Sequence, residues 1–349
     1  MTRSVGSPDA VALARALVDI PSADADEAAV ADFLAAFLAA RGWKVERQEA
    51  APGRPNVLAT TGAPARVVFS SHLDTVPPHL PAREDAEFLY GRGACDAKGI
   101  VAAQITAAER LRAAGVRELG LLFVADEEQN GSGARAANRH PDAAECRWLI
   151  NGEPTENKLA TGSKGSLRLR LTAEGKSAHS AYPELGHSAI EDLLQVLAEL
   201  RTTRWPEDPL FGETTCNVGV IAGGTRSNVI ADDAHADLQI RLVGPAEPVR
   251  ELVERAARGR VRVEVRTSVP PIRLTTIPGF ETALVRYTTD IPNLTNWGTP
   301  LLLGPGSIHV AHTPEERIAK ANLERGVELY ERLARTLLAG SVEGLPARG

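Results

Sequence analysis

His72 and Asp74 stand two residues apart behind an apolar run, Val67-Val68-Phe69, with Pro77-Pro78 close after them. Side chains two apart on an extended chain face the same way. The imidazole could therefore bind a metal while the carboxylate fixes its tautomer. A lone His-x-Asp is commonly an ordinary strand-end pair, so the metal reading depends on ligands elsewhere. Such residues recur. Asp96 lies in the glycine-bracketed Gly91-Arg92-Gly93-Ala94-Cys95-Asp96-Ala97-Lys98-Gly99, and Asp126-Glu127-Glu128 follow the apolar residues 119–125. Glu153 follows residues 147–151, and His309 and His312 follow Leu301-Leu302-Leu303 and Gly304-Pro305-Gly306.

Imidazoles and carboxylates without a thiolate suit zinc, cobalt or manganese. Three carboxylates and two histidines exceed one tetrahedral site. They suit two ions sharing a bridging carboxylate, about 3.5–4 Å apart. A further carboxylate could then act as general base on the attacking water. Glu127-Glu128 offers one, because adjacent side chains at a strand end diverge. Read singly, an acidic pair is a solvated turn and Asp96 is a helix N-cap. Their joint occurrence at successive strand ends carries the dinuclear reading.

The elements that must position these groups alternate between helix and strand. Ser7-Pro8-Asp9 reads as an N-cap followed by a first-turn proline, and Leu13, Leu17 and Ile20 space out one apolar face. A second helix is expected from about Asp26, with Val30, Phe33, Leu34, Phe37 and Leu38 inward and Gly42 as the stop. Strand-like runs follow at 43–47, 56–60 and 66–71, then a helix to about Gly115 and apolar strands at 119–125 and 147–151. This predicts an α/β layer with the sheet covered on both faces. Near Gly165 the pattern changes: Ser166-Leu167-Arg168-Leu169-Arg170-Leu171 alternates strictly, as a strand with one wet face does. A helix at 188–202, strands at 215–221 and 234–243, a helix at 247–257 and a strand at 261–267 complete a β-α-β-β-α-β order, which is ferredoxin-like. From about Gly279 the α/β character returns, with a strand at 300–303 and a long last helix at 314–338. The expected organisation is a catalytic domain of residues 1–164 and 277–349, interrupted by an inserted domain of residues 165–276.

A chain of 349 residues can bury a sizeable core and fits two domains. Apolar residues make up 43% and charged residues 24%, which excludes a disordered chain. The net charge of −6 argues against a nucleic-acid partner, and no apolar run is long enough to span a membrane. Residues 1–6 lack an apolar signal core, so a cytoplasmic protein is expected. Cys95, Cys146 and Cys216 form no Cys-x-x-Cys pair and fit a reducing compartment.

Four segments resemble, in type and order, a family of dinuclear metallo-amidohydrolases. They are Ser71-His72-Leu73-Asp74-Thr75-Val76, Gly91-Arg92-Gly93 through Asp96-Ala97-Lys98-Gly99, Asp126-Glu127-Glu128 and Gly152-Glu153-Pro154-Thr155. That family holds acetylornithine deacetylase, succinyl-diaminopimelate desuccinylase, aminoacylase and carboxypeptidase G, and the resemblance covers nearly the whole chain. It implies that Asp96 bridges two divalent ions, with zinc expected and cobalt or manganese as alternatives. His72 and Glu153 would hold one ion, Glu128 and His312 the other. Glu127 would be the general base, and Asp74 would orient His72. Ala311-His312-Thr313-Pro314-Glu315-Glu316 fits the deacetylase form, in which an acidic residue after the ligand opens the last helix. His312 is therefore taken as the ligand and His309 as a neighbour.

The inserted domain resembles the family's lid and dimerisation domain, which implies a homodimer. His179, in Gly175-Lys176-Ser177-Ala178-His179-Ser180-Ala181, would stabilise the oxyanion of the intermediate. Asn228, after Gly223-Gly224-Thr225-Arg226-Ser227, and Arg241, after Gln239-Ile240, would meet the substrate. A guanidinium reads a carboxylate with two parallel bonds. Lys98 and Cys95 would flank the site; His79, His140, His187 and His235 would be structural or exposed. The implied activity is hydrolysis of a linear amide, that of an N-acyl-L-amino acid or dipeptide. The Gly304-Pro305-Gly306-Ser307-Ile308 run lies closest to deacetylases of acetylornithine and acetyl-lysine type, enzymes of arginine and lysine metabolism. A desuccinylase, dipeptidase or carboxypeptidase is the alternative, and a catalytically silent binding homologue is the alternative of a different class.

Overall fold

The computed structural model describes residues 7–23 and 26–340. Residues 1–6, read above as lacking a signal core, lie outside them. The principal elements run in chain order. Helices α1 (Ala10–Val18) and α2 (Ala28–Ala40) precede strands β1 (Lys44–Ala51), β2 (Arg54–Thr60) and β3 (Val67–His72). Helix α3 (Lys98–Ala113) and strands β4 (Leu119–Val124) and β5 (Trp148–Asn151) follow. Next come β6 (Gly165–Glu174), α4 (Ala189–Thr202), β7 (Thr215–Gly223), β8 (Asp233–Leu242), α5 (Ala246–Ala257) and β9 (Val261–Val269). Strand β10 (Thr299–Leu302) and helix α6 (Lys320–Leu338) end the series. The chain divides into two compact units. One comprises the described residues up to Thr161, Leu274–Ala283 and those from Thr289 on; the other comprises Gly162–Arg273 and Leu284–Thr288.

The first unit is built on a six-stranded sheet of order β1-β2-β4-β3-β5-β10. Strands β4, β3, β5 and β10 are mutually parallel, whereas β2 pairs antiparallel with both β1 and β4. Every residue of β3, β4 and β5 is buried, as sequence runs without alternation require when helices cover both faces. Helix α3 packs against β3 and between α1 and α6. Its close approach depends on glycine: a Cβ at Gly99 would fall 2.1 Å from the Ala94 carbonyl oxygen, and one at Gly152 would fall 2.4 Å from Ile100. Phe69 on β3 meets Tyr330 of α6 edge to face, with centroids 5.4 Å apart. Burying side chains of this size contributes roughly 1.5–3 kcal/mol each. Because the four parallel strands run the same way, their carboxyl ends share one edge, where ligands collect in open α/β sheets.

The second unit has an antiparallel sheet of order β7-β8-β6-β9 with α4 and α5 packed on it. This is the β-α-β-β-α-β order anticipated from the sequence. Leu167, Leu169 and Leu171 of β6 are buried with Leu193, Val196, Val249 and Val253 of the helices, while Arg168 stays exposed.

Two local expectations need correction, and one reading set aside above is ruled out. Asp9, not Ser7, caps α1, and its carboxylate accepts the Val11 and Ala12 N–H groups at 2.8 and 3.1 Å. Ala97, not Asp96, precedes α3, and no side chain caps that helix. The last helix begins at Lys320 rather than Pro314, because Arg317–Ala319 is extended and pairs with Phe88–Tyr90. Glu315 and Glu316 therefore do not open it.

Candidate metal centre and active site

The parallel strands deliver their residues as chain direction demands. His72 is the last residue of β3, Asp126-Glu127-Glu128 follow β4, and Glu153 follows β5. His72 is buried, with Nε2 3.0 Å from Asp96 Oδ1. The other oxygen, Asp96 Oδ2, stands 3.3 Å from His312 Nε2, and that nitrogen is 2.9 Å from Glu128 Oε1. One carboxylate thus faces two imidazoles from opposite ends of the chain. Donor atoms of His72, Asp96 and Glu128 all lie within 4.8 Å of one another. Glu153 is buried close enough to His72, Asp96 and Glu128 for their charges to act on it. His309 is exposed, and among the described residues only its backbone N–H is engaged, by Ser307 Oγ at 3.4 Å.

Asp74 does more than face His72. The His72 Nδ1 partner is the Asp74 backbone carbonyl at 2.9 Å, whereas the carboxylate Oδ1 is 3.6 Å away. The carboxylate itself accepts the N–H of Glu127 at Oδ1 and of Glu128 at Oδ2, each at 3.0 Å. It therefore anchors the backbone of both glutamates. From the other side, Arg54 binds Glu27 through Nε at 2.9 Å and Asp126 through Nη1 at 2.7 Å, all three buried. Asp126 adopts the left-handed conformation, φ 65°, and accepts the Ser132 hydroxyl at 2.5 Å. Its side chain is spent on this network and so is turned away from the role left to Glu127 and Glu128.

Carboxylates and imidazoles crowd together at this sheet edge. Burial and the charges of Glu153 and Asp290 push the Glu127 carboxyl well above its ordinary value. Burial, with Asp96 and Asp290 adding to it against His72, does the same to Glu153. Burial opposes ionisation of Asp96, but hydrogen bonds from His312 and His72 outweigh it and hold that carboxyl low. Hydrogen bonds to Asp96 and Glu128 push the His312 imidazole up to about 10. Burial opposes protonation of His72, yet its bonds to Asp74 and Asp96 raise it well above its usual value. Hard oxygen and imidazole donors packed with surplus negative charge are what a divalent ion requires. The residues fit the group.

Sequence reading missed Asp290, a buried carboxyl at the turn before Ile291–Asn293, where burial and the charges of Asp74 and Asp126 push it up to about 7. Its only sequence signal is a carboxylate in Thr288-Thr289-Asp290-Ile291-Pro292, far from the other acids. Glu27 and Arg54 carried no signal, since a charge at a helix start or strand start is ordinary.

The second unit brings His179 and Asn228 together. His179 bridges to Val229, the Ser180 N–H donates to the Asn228 carbonyl at 3.0 Å, and both residues are exposed. His179 Nδ1 accepts the Ala181 N–H at 3.1 Å, which places the ring proton of the neutral form on Nε2, a donor with no acceptor among the described residues. Arg241 lies on β8, in register with Ser166 and Thr215, and its guanidinium makes no hydrogen bond or ion pair among the described residues. Burial and the nearby Arg168 depress its guanidinium.

The sequence model described as Peptidase family M20/M25/M40 matches residues 68–336. A peptidase M20 domain-containing protein of Schizosaccharomyces pombe is 39% identical over 335 residues, covering 93% of this chain and 83% of the relative. A "Probable carboxypeptidase" of Aspergillus terreus is 40% identical over 366 residues, covering 91% and 84%. Among solved structures, an M20 family metallo-carboxypeptidase of Sulfolobus solfataricus superposes with a TM-score of 0.75 at 16% identity, covering 93% of this chain and 98% of that one. This is a likeness of fold.

Proposed function

The chain belongs to the M20/M25/M40 peptidase family of metallopeptidases, and from that premise we propose a dinuclear hydrolase that cleaves an amide bond whose nitrogen belongs to a residue with a free carboxylate. The observation that carries this reading is the two-faced Asp96, with Oδ1 on His72 and Oδ2 on His312. His72 and Glu153 would hold one ion, Glu128 and His312 the other, and Asp96 both. Zinc is the expected metal, with cobalt or manganese as alternatives. Bound divalent ions supply Lewis-acid polarisation of the scissile carbonyl and acidify water. Glu127 takes one proton from the water as its oxygen bonds to the carbonyl carbon. The same carboxyl then gives that proton to the departing nitrogen as the C–N bond breaks. The backbone bonds from Glu127 and Glu128 to Asp74 hold this base in place. His179, with its donor on Nε2, is assigned to the oxyanion, Arg241 to the substrate carboxylate and Asn228 to the substrate.

The names of the carboxypeptidase relatives support a C-terminal residue as leaving group, in a peptide or dipeptide. An N-acetyl amino acid presents the same bond. The Gly304-Pro305-Gly306-Ser307-Ile308 run favours that acetylornithine-deacetylase-like reading as the second. The second unit, residues 165–276 in the sequence-based division, is assigned as a lid that also dimerises. Among the described residues strand β7 is an edge of its sheet, and it exposes Val218, Val220 and Ile221, which suits a second copy. No described helix is long and apolar enough to cross a membrane, and three free thiols suit a reducing cytoplasm.

A panel of dipeptides, N-capped dipeptides, their C-terminal amides, N-acetylornithine and N-succinyl amino acids tests the reading. Cleavage of free-acid peptides, with the amides untouched, is expected. Preference for N-acetylornithine moves the assignment to the deacetylase type. Glu127→Gln should lose about 10²–10⁴-fold in kcat while keeping its metal. A wild-type protein that holds two ions and turns over nothing on the panel is a binding homologue, and near-normal Glu127→Gln turnover removes the base.

A further inference from the structure

We propose that Arg92 and Glu316 form a positioning pair that holds Asp96 and His312 together, so that divalent-metal affinity depends on it. The inference rests on the metal-site reading above. Glu316 and Arg92 are both buried, 224 positions apart, with Arg92 Nη1 2.6 Å from Glu316 Oε2. The other carboxylate oxygen, Oε1, gathers three backbone donors of the Asp96 loop: Gly93 at 2.9 Å, Cys95 at 3.3 Å and Asp96 itself at 3.2 Å. The guanidinium reaches further, donating from Nη1 to the Thr313 carbonyl and from Nε to the Pro78 carbonyl, each at 3.3 Å. Gly91 N–H closes the arrangement on the Glu316 carbonyl at 3.1 Å.

One ion pair therefore ties three stretches of chain: the loop of Asp96, the residue after His312, and the run that leaves Asp74. The need is physical. His72 is held by a strand inside a sheet ladder, with parallel neighbours on both sides of β3. Asp96 and His312 sit in loops, and no ladder fixes their separation. Their facing atoms stand 3.3 Å apart; the Glu316 carboxylate holds the backbone around Asp96, and the Arg92 guanidinium paired with it holds the Thr313 carbonyl beside His312. Partners that orient ligating side chains typically change metal affinity by about 10–100-fold when removed.

The test uses the full-length chain, stripped of metal and titrated with Zn²⁺ alone against a chromophoric chelator. Wild type, Glu316→Gln and Arg92→Lys are compared, with circular dichroism and thermal melts of the metal-free proteins alongside. Lysine keeps the charge but cannot serve Glu316, Thr313 and Pro78 together. It also keeps the test open if Glu316→Gln, which leaves a buried guanidinium uncompensated, fails to fold. Both folded variants should bind zinc about 10–100-fold more weakly, and raising the metal concentration by that factor should restore their hydrolysis. A merely structural role would lower the melting temperature and leave the folded fraction's zinc affinity unchanged. Folded variants that bind zinc as tightly as wild type, or whose lost turnover metal does not restore, overturn the proposal. Wild type that takes up no zinc removes the metal-site reading itself, a different result from wild type that binds and variants that match it.

Discussion

Replacing Asp74 by asparagine separates the two jobs the structure gives that residue. Its backbone carbonyl, which meets His72 Nδ1 at 2.9 Å, survives the change. Its carboxylate does not. Asparagine keeps one acceptor oxygen and turns an NH₂ group toward the second backbone N–H, so either Glu127 or Glu128 loses its 3.0 Å partner. A hydrogen bond to a charged acceptor is worth about 1.5–3 kcal/mol, and a buried donor left unpaired costs about 1–3 kcal/mol. These overlap, and the expected loss of unfolding free energy is about 3 kcal/mol. The freed backbone also carries the general base. Misplacing a reacting group by about 1 Å costs on the order of 10²-fold, so kcat/KM should fall by about that factor, equivalent to roughly 2.7 kcal/mol. Urea unfolding of the metal-free protein gives the first quantity. Steady-state hydrolysis of an N-capped dipeptide at saturating metal gives the second. Asp74→Asn that unfolds within about 0.5 kcal/mol of wild type and hydrolyses within a factor of two of it would refute the anchoring role.

Alanine at position 312 should remove a metal equivalent in elemental analysis, because His312 faces both Asp96 and Glu128. His309→Ala should bind metal as wild type does, and the reverse pattern would exchange the two assignments. The metal-free protein should become less stable as pH rises from about 4.5 to about 10. The carboxyls of Glu127, Glu153 and Asp290 and the imidazoles of His72 and His312 all titrate higher folded than unfolded. The folded state thus holds more protons, and stability present below the unfolded values is lost as pH climbs through the folded ones, near 7 for Asp290 and near 10 for His312. Thermal melts across that range should fall steadily without metal and flatten with zinc. A metal-free melting temperature that rises from pH 5 to 9 would contradict the crowding.

Much of the fold was legible because its signals are local. Residues 119–125 are apolar without alternation, and they form a strand buried on both faces. Ser166 to Leu171 alternates, and it forms a strand with one exposed face. The acids and histidines at strand ends were legible for the same reason: chain direction in a parallel sheet puts those ends on one edge. Helix starts were less so, because capping competes with longer-range demands. Glu316 looks like a first-turn acid, yet it is drawn inward to the Asp96 loop and the helix starts later.

The sequence by itself determined which chemistry is available: imidazoles and carboxylates without thiolates, spaced at the ends of apolar strands. Only the tertiary structure decided how they are shared. It turned Asp126 onto Arg54, put the Asp74 carboxylate under the backbone of Glu127 and Glu128, and left His309 outside while His312 met Asp96. It also added Asp290 from a distant turn. The physical reason is that a side chain's place depends on which charges and hydrogen-bonding groups the fold brings against it in a buried space, and for Asp126, Asp74 and His312 those groups lie tens to hundreds of residues away along the chain.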